Sequence, residues 1–245
     1  MDLLTMNYYL DPIVKLLHAD WLASITIWSI IIRVLLSIVL GGLVGVERAV
    51  KRHAAGLRTF MLVSLGACVA MMTNQFIVDF YGSGDASRIG AQVISGIGFL
   101  GAGTIMISSR SRIKGLTTAA GLWACASVGI ALGAGFYTLA IIGCFVITLV
   151  LTFLPRLEYY IRDHGKFIEY QIEFNDKYAA HNFIEAARKE KMIVQSVEAN
   201  PSFSSDTVFS YSFILEKAKD DKRCHKKVLD FYSKLPYIIF IEEIF

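Results

Sequence analysis

The chain has 245 residues, 55% of them hydrophobic and 18% charged, with a formal net charge of +3 and a mean hydropathy of +0.52. A charged fraction well below the ~25% usual for soluble domains excludes an ordinary water-soluble globule. The charges are also unevenly placed: from Trp21 to Leu157 the only carboxylates are Glu47, Asp79 and Asp85, and most acids lie after residue 157, so two regions meet two solvents.

The N-terminal 20 residues are not expected to be a signal peptide, because a basic start and a small-residue cleavage site are missing and Asp2 and Asp11 stand where positive charge is wanted; 1–24 is read as an N-terminal interfacial segment. Asp11-Pro12 instead reads as a helix start, with the acid as N-cap and proline in the first turn. This predicts a short interfacial helix from Pro12 to Trp21 leading into the first apolar stretch.

Five apolar stretches follow, at 25–46, 59–80, 89–107, 116–133 and 136–154, within a membrane domain spanning 25–157. A helix needs about 20 apolar residues to cross the hydrocarbon core, and the third and fourth stretches barely reach the minimum because glycine and polar residues dilute them. Arg33 lies inside the first and must snorkel or face protein. The links ERAVKRHAAGLR and SSRSRIKG are strongly basic, as is the segment after the fifth stretch, whereas YGSGDASR and GAG together hold one basic residue, Arg88. By the positive-inside rule this predicts five spans with the N-terminus outside and the C-terminus in the cytoplasm.

After a linker at 158–166 the periodicity changes. FIEYQIEF (167–174) alternates like a half-buried strand, residues 179–191 have apolar groups at helical spacing, and 192–199 and 207–216 read as strands around Asn200, Pro201 and Ser202. Residues 221–235 read as a helix and 237–245 as a last strand. The order βαββαβ predicts a ferredoxin-like α+β domain over 167–245. Its stretch KAKDDKRCHKK mixes signs, which reads as a solvated helix face and argues against a nucleic-acid partner.

No enzyme is expected: no Ser/His/Asp set, phosphate loop or metal motif stands in a suitable context. Cys68, Cys125 and Cys144 sit in apolar stretches and Cys224 in a predicted helix, as buried small hydrophobes do. The five histidines are scattered, so no zinc-type cluster forms and no resident cofactor is expected. SGIGFLGAG (95–103) matches G-x-G-x-x-G, yet a dinucleotide turn needs a preceding strand and an acid about 20 residues on, and no acid occurs between Asp85 and Glu158. Gly96, Gly98, Gly101 and Gly103 therefore serve either close helix packing, as the spacings Gly41/Gly45 and Gly129/Gly133 also suggest, or a broken helix lining a site.

Three segments, GGLVGVERAVKRHAAGLRTFMLVSLGA (41–67), DASRIGAQVISGIGFLGAGTI (85–105) and IKGLTTAAGLWACASVGIALGAG (113–135), resemble the MgtC/SapB family of bacterial membrane proteins, in the family's order. The C-terminal region is similar to the ACT-like domain of its longer members. The resemblance implies an inner-membrane, non-enzymatic protein linked to growth under magnesium limitation and, in pathogens, to virulence inside host cells. It further implies regulation rather than transport, in some members through the F-type ATP synthase. Homo-oligomers and other membrane-protein partners are compatible with it.

The candidate polar residues form two groups. Glu47 precedes Arg48 and Lys51 at the inner end of the first span; it forms either an interfacial ion-pair cluster or a partly buried site with Arg58 or Lys114. At the outer side Asp85, Arg88 and Gln92 precede the third span, where Asp85 either caps that helix or joins Asp79 in an ion-attracting mouth. Thr104, Thr117 and Thr118 add hydroxyls. Magnesium wants carboxylate and water oxygens, and a region with three acids and ten basic residues supplies few. The expectation is a regulatory membrane protein of magnesium homeostasis, with a magnesium or other cation transporter gated by the ACT-like domain as the alternative, magnesium being the sensed or transported ion.

Overall fold

A computed structural model describes residues 11–82, 84–107, 113–163, 165–176, 178–199, 208–218 and 225–243. The chain divides into two compact units, 1–154 and 155–245, which are taken in turn.

In the first unit Asp11 accepts from the Ile13 amide at 2.9 Å and Pro12 occupies the first turn, so helix α1 starts where the sequence places it. It covers only Pro12–Leu16, because His18 takes a left-handed φ of 49° and stops it. The chain resumes as a single 3-10 turn at Asp20–Leu22 rather than continuing the predicted helix to Trp21. Helix α2 (Ile27–Val50) begins with a reciprocal box: Thr26 Oγ1 accepts from the Ser29 amide at 3.3 Å and Ser29 Oγ from the Thr26 amide at 3.0 Å. Then come α3 (Leu57–Tyr81), closed by left-handed Gly82, α4 (Arg88–Thr104), α5 (Leu116–Gly133) and α6 (Tyr137–Asp163).

Among the described residues, α2, α3, α5 and α6 are long and apolar enough to cross a membrane, whereas α4 has 17 residues and is shorter. The third apolar stretch does not stay helical to Ile107. Met106–Ile107 (β1) instead pairs antiparallel with Ile113–Lys114 (β2), and left-handed Gly115 (φ 96°) starts α5. A side chain at Gly115 would strike the Thr104 carbonyl, so this glycine lets the end of α4 lie against the start of α5.

Helix α3 is packed on both sides by glycine-bearing faces. A methyl added at Gly41 would come within 2.8 Å of the Phe60 carbonyl oxygen, and one at Gly45 within 2.8 Å of Leu57 Cα. On α5, one at Gly129 would overlap the Ser64 carbonyl and one at Gly133 the Cys68 carbonyl. Both small-residue spacings thus bring helix backbones into contact, where dispersion drives association in the absence of a hydrophobic force. Phe60, Cys68, Leu122, Cys125, Ala126 and Leu132 form the buried centre.

In the second unit α6 runs on through Pro155 to Asp163, so 158–163 are helix rather than linker. Strand β3 (Phe167–Phe174), helix α7 (Ala179–Lys189), strands β4 (Ile193–Ala199) and β5 (Phe209–Glu216), helix α8 (His225–Tyr232) and strand β6 (Ile238–Glu243) follow in the order βαββαβ. The expected turn residues 200–202 and Cys224 lie outside the described residues.

The sheet order is β4-β5-β3-β6, every neighbour antiparallel, with β5 inserted between the two strands that α7 connects. Ile168, Tyr170, Ile172 and Phe174 alternate onto one face of β3 and are fully buried with Phe213 and Leu215 of β5. Phe183 of α7 covers them, its ring 4.7 Å from Phe213 and 5.0 Å from Tyr232 of α8.

Candidate functional site

The end of the first unit where α2 meets α3 gathers the charges flagged around Glu47. Lys51, one helical turn on, places Nζ 2.5 Å from Glu47 Oε1, and Arg48 Nη1 stands 3.9 Å from Oε2. Arg48 is 3% exposed and donates through Nη2 to Thr118 Oγ1 of α5 at 3.0 Å, so one guanidinium ties α2 to α5. Its Nε has no hydrogen-bond partner among the described residues. Glu47 therefore pairs with Lys51 and Arg48 rather than with Arg58 or Lys114, which are both exposed. In the link after α2, burial pushes the pKa of His53 down, and the neighbouring cations Arg48 and Lys51 push the same way against an opposing Glu47.

At the opposite end Asp85 serves its own loop. Its Oδ1 accepts from the Ser87 hydroxyl at 2.6 Å and the Ser87 amide at 2.8 Å, and these bonds hold the carboxyl below the usual range. Arg88, Gln92 and Asp79 are exposed. The loop is fixed to α3 by Asn74, whose amide donates to the Ala86 carbonyl at 2.5 Å. Thr104 donates to the Gly101 carbonyl of its own helix, Thr117 is exposed, and Thr118 receives Arg48.

The flagged glycines separate. Helix α4 is continuous through 96–103, so it is not broken there, and among the described residues no strand of a dinucleotide turn precedes it. A methyl on Gly101 would touch Ala119 of α5 at 3.4 Å, whereas at Gly96, Gly98 or Gly103 it would meet nothing within 4 Å. Among the described residues, only Gly101 of the four has an added Cβ in contact with another helix.

The most elaborate polar centre was not among the flagged sites. Arg33 is fully buried and spends its donors on neutral oxygens: Nε to Tyr137 Oη at 3.1 Å, Nη1 to the Gly133 carbonyl at 2.7 Å and Gln75 Oε1 at 3.1 Å, and Nη2 to the carbonyls of Leu22 and Ala23 at 2.8 and 3.2 Å. Gly133 is the last residue of α5 and Leu22 ends the 3-10 turn, so the cation sits where helix dipoles are negative. Left-handed Gly135 makes room: a side chain there would come within 3.0 Å of Nη2. Close by in sequence to Tyr137, Thr138 gives its amide to Asp11 Oδ2 at 2.9 Å and its hydroxyl to Oδ1 at 2.7 Å, fastening α1 to the start of α6. The visible signals were a lone charge in an apolar run and a glycine two residues past α5.

A family model described as the MgtC family matches residues 34–160, more than half of the chain. The chain belongs to the MgtC family. A Haemophilus influenzae protein is 38% identical over 149 residues, 58% of this chain and 62% of that relative, and YhiD of Escherichia coli K12 is 38% identical over 135 residues, 53% and 62%. SapB of Bacillus subtilis is 31% identical over 155 residues, 61% and 60%, and MgtC of Brucella abortus 42% over 120 residues, 48% of each. The matches thus span about half to three fifths of these relatives' own length. No solved structure matches the chain. The MgtC-family match contains the Glu47–Arg48–Thr118 cluster and begins one residue after Arg33; the βαββαβ unit lies beyond it.

That second unit has its own buried polar pair. His225, 1% exposed, sets Nδ1 2.5 Å from Glu243 Oε1 and Nε2 3.1 Å from the Gly165 carbonyl, so the start of α8 is joined to the end of β6 and to the segment before β3. Tyr170 donates to the His225 carbonyl at 3.4 Å, and burial together with Glu243 raises its pKa.

Proposed function

We propose that the chain is a regulatory protein of a bacterial inner membrane, linked to magnesium homeostasis and adaptation to low magnesium, and acting through a membrane-protein partner such as the F-type ATP synthase. In this reading α4 is a fifth span, the N-terminus is outside, and residues 167–245 form a cytoplasmic ACT-like domain that binds a ligand, a partner or a second copy. The reading is carried by the sign of the buried charge in the helical unit. Among the described residues Arg33 and Arg48 are its buried cations, while the one buried carboxylate, Asp11, is taken up by the Ile13 amide and by Thr138, and the carboxylate of Glu47 is already engaged by Lys51. A strongly hydrated divalent cation needs several carboxylate or water oxygens in near-octahedral array, and guanidinium groups repel it.

A second reading, magnesium transport, is favoured by one relative, since the name of the Escherichia coli K12 protein proposes that activity. Purified full chain in liposomes with an internal magnesium dye separates the two. The regulatory reading expects no protein-dependent influx; robust influx abolished by Glu47→Gln would replace it with transport. Affinity purification from membranes at low and high magnesium then asks whether a partner co-purifies in a magnesium-dependent way.

A further inference from the structure

We propose that the groove between α3 and α4 holds one acyl chain of an anionic phospholipid, with the phosphate seated at Arg58. The groove has a volume of about 520 Å³ and aliphatic walls from Leu62 and Val63 on one helix and Val93 and Ile97 on the other. It exists because Gly66 and Gly96 line it without a side chain, and a methyl on either would meet nothing within 4 Å. These glycines differ physically from Gly41, Gly45, Gly129 and Gly133, whose missing side chains are filled by a neighbouring backbone. An apolar gap leaves its lining short of dispersion partners, and in a bilayer hydrocarbon is the filler at hand.

Length and charge narrow the occupant. From Arg58 to Ala67 the groove follows ten residues of α3, nine helical rises or about 14 Å, roughly half of the ~30 Å hydrocarbon core. That is the depth of one leaflet, with a headgroup at one end and a chain tip near the midplane at the other. At the headgroup end Arg58 is exposed and has no ion pair among the described residues. It stands in the first turn of α3, whose N-cap Gly56 supplies no side-chain acceptor, so amides at this terminus are left for an anion. An unpaired guanidinium beside a helix N-terminus, at the mouth of a hydrocarbon-deep groove, fits a phosphodiester carrying net negative charge better than a zwitterionic headgroup. The site is independent of whether the protein moves magnesium.

The test uses the full chain in nanodiscs made either with phosphatidylglycerol or with phosphatidylcholine as the minor lipid, followed by release into detergent and native mass spectrometry of retained lipid. The wild type should retain one phosphatidylglycerol in preference to phosphatidylcholine by about fivefold, the selectivity that one basic side chain gives near an anionic headgroup. Arg58→Gln should abolish the preference while a lipid is still retained. Gly66→Leu and Gly96→Leu, whose added Cβ meets no neighbour within 4 Å and whose side chains then occupy the groove, should lower retention of both lipids, whereas Gly98→Leu on the same helix but outside the groove should not. Unchanged retention in both groove variants, or equal retention of the two headgroups by the wild type, overturns the proposal. So does a disulfide between two copies carrying Leu62→Cys, which would put a second chain in the groove.

Discussion

Arg33 illustrates how a single residue can be visible in a sequence while its role is not. A cation in an apolar run must find polar company, and that much follows from solvation alone. Its company consists of main-chain carbonyls at two helix ends, a tyrosine and a glutamine, contributed by segments up to 104 positions away, and nothing in local sequence announces such partners. Arg33→Gln should leave several of these oxygens unpaired in the interior and lower stability by about 3 kcal/mol, taking 1–3 kcal/mol for each buried group left unsatisfied. Thermal unfolding in detergent, followed by the fluorescence of Trp21, Trp28 and Trp123, reads the loss; Arg33→Lys should recover only part of it, since an ammonium lacks the planar fork. His53 gives a second residue-scale expectation. Its pKa is lowered by burial and by Arg48, so relative to the unfolded chain the native state resists protonation. Its contribution to stability is then present above the unfolded value near 6.5 and is lost as pH falls toward the folded one. Histidine NMR of the full chain should place this titration below the ~6.5 of a free imidazole, and Arg48→Gln should move it upward.

Among the elements, the helices and strands were largely legible because apolar runs and alternation survive without tertiary knowledge. The boundaries that shifted did so for tertiary or backbone reasons: left-handed His18 cuts α1 short, and pairing with Ile113 pulls Ile107 out of a helix into a strand. The glycines were legible as a class but not individually, because G-x-x-x-G spacing shows that two glycines share a face and not what lies opposite. Gly129 and Gly98 make the distinction measurable. Gly129→Ala drives a methyl into the Ser64 carbonyl and should cost about 1–3 kcal/mol as overpacking, while Gly98→Ala enters open space and should stabilise α4 by up to about 1 kcal/mol through helix propensity. Melting temperatures of the two variants should move in opposite directions; a shared downward shift would mean that α4 has a neighbour at Gly98 in the assembled protein.

At the scale of the whole molecule, the change from a 3.6-residue period to alternation marks the strand that begins at Phe167, while 158–163, read as part of a linker, is helix. That helix runs on through Pro155 to Asp163. A proline removes one amide donor from a long helix without necessarily ending it where neighbouring turns remain bonded. The two-unit division has a thermodynamic consequence that the placement of tryptophan makes observable. All three tryptophans, Trp21, Trp28 and Trp123, belong to the first unit, so their fluorescence is blind to local unfolding of the second. Phe183 is fully buried against Phe174, Phe213 and Tyr232, and Phe183→Ala should weaken the second unit by about 3–5 kcal/mol. Amide exchange in β3 and β5 of the full chain should accelerate accordingly, while the tryptophan melt stays where it is in the wild type. If the fluorescence transition falls in step with the exchange, the two units unfold as one and the division into separately stable parts is wrong.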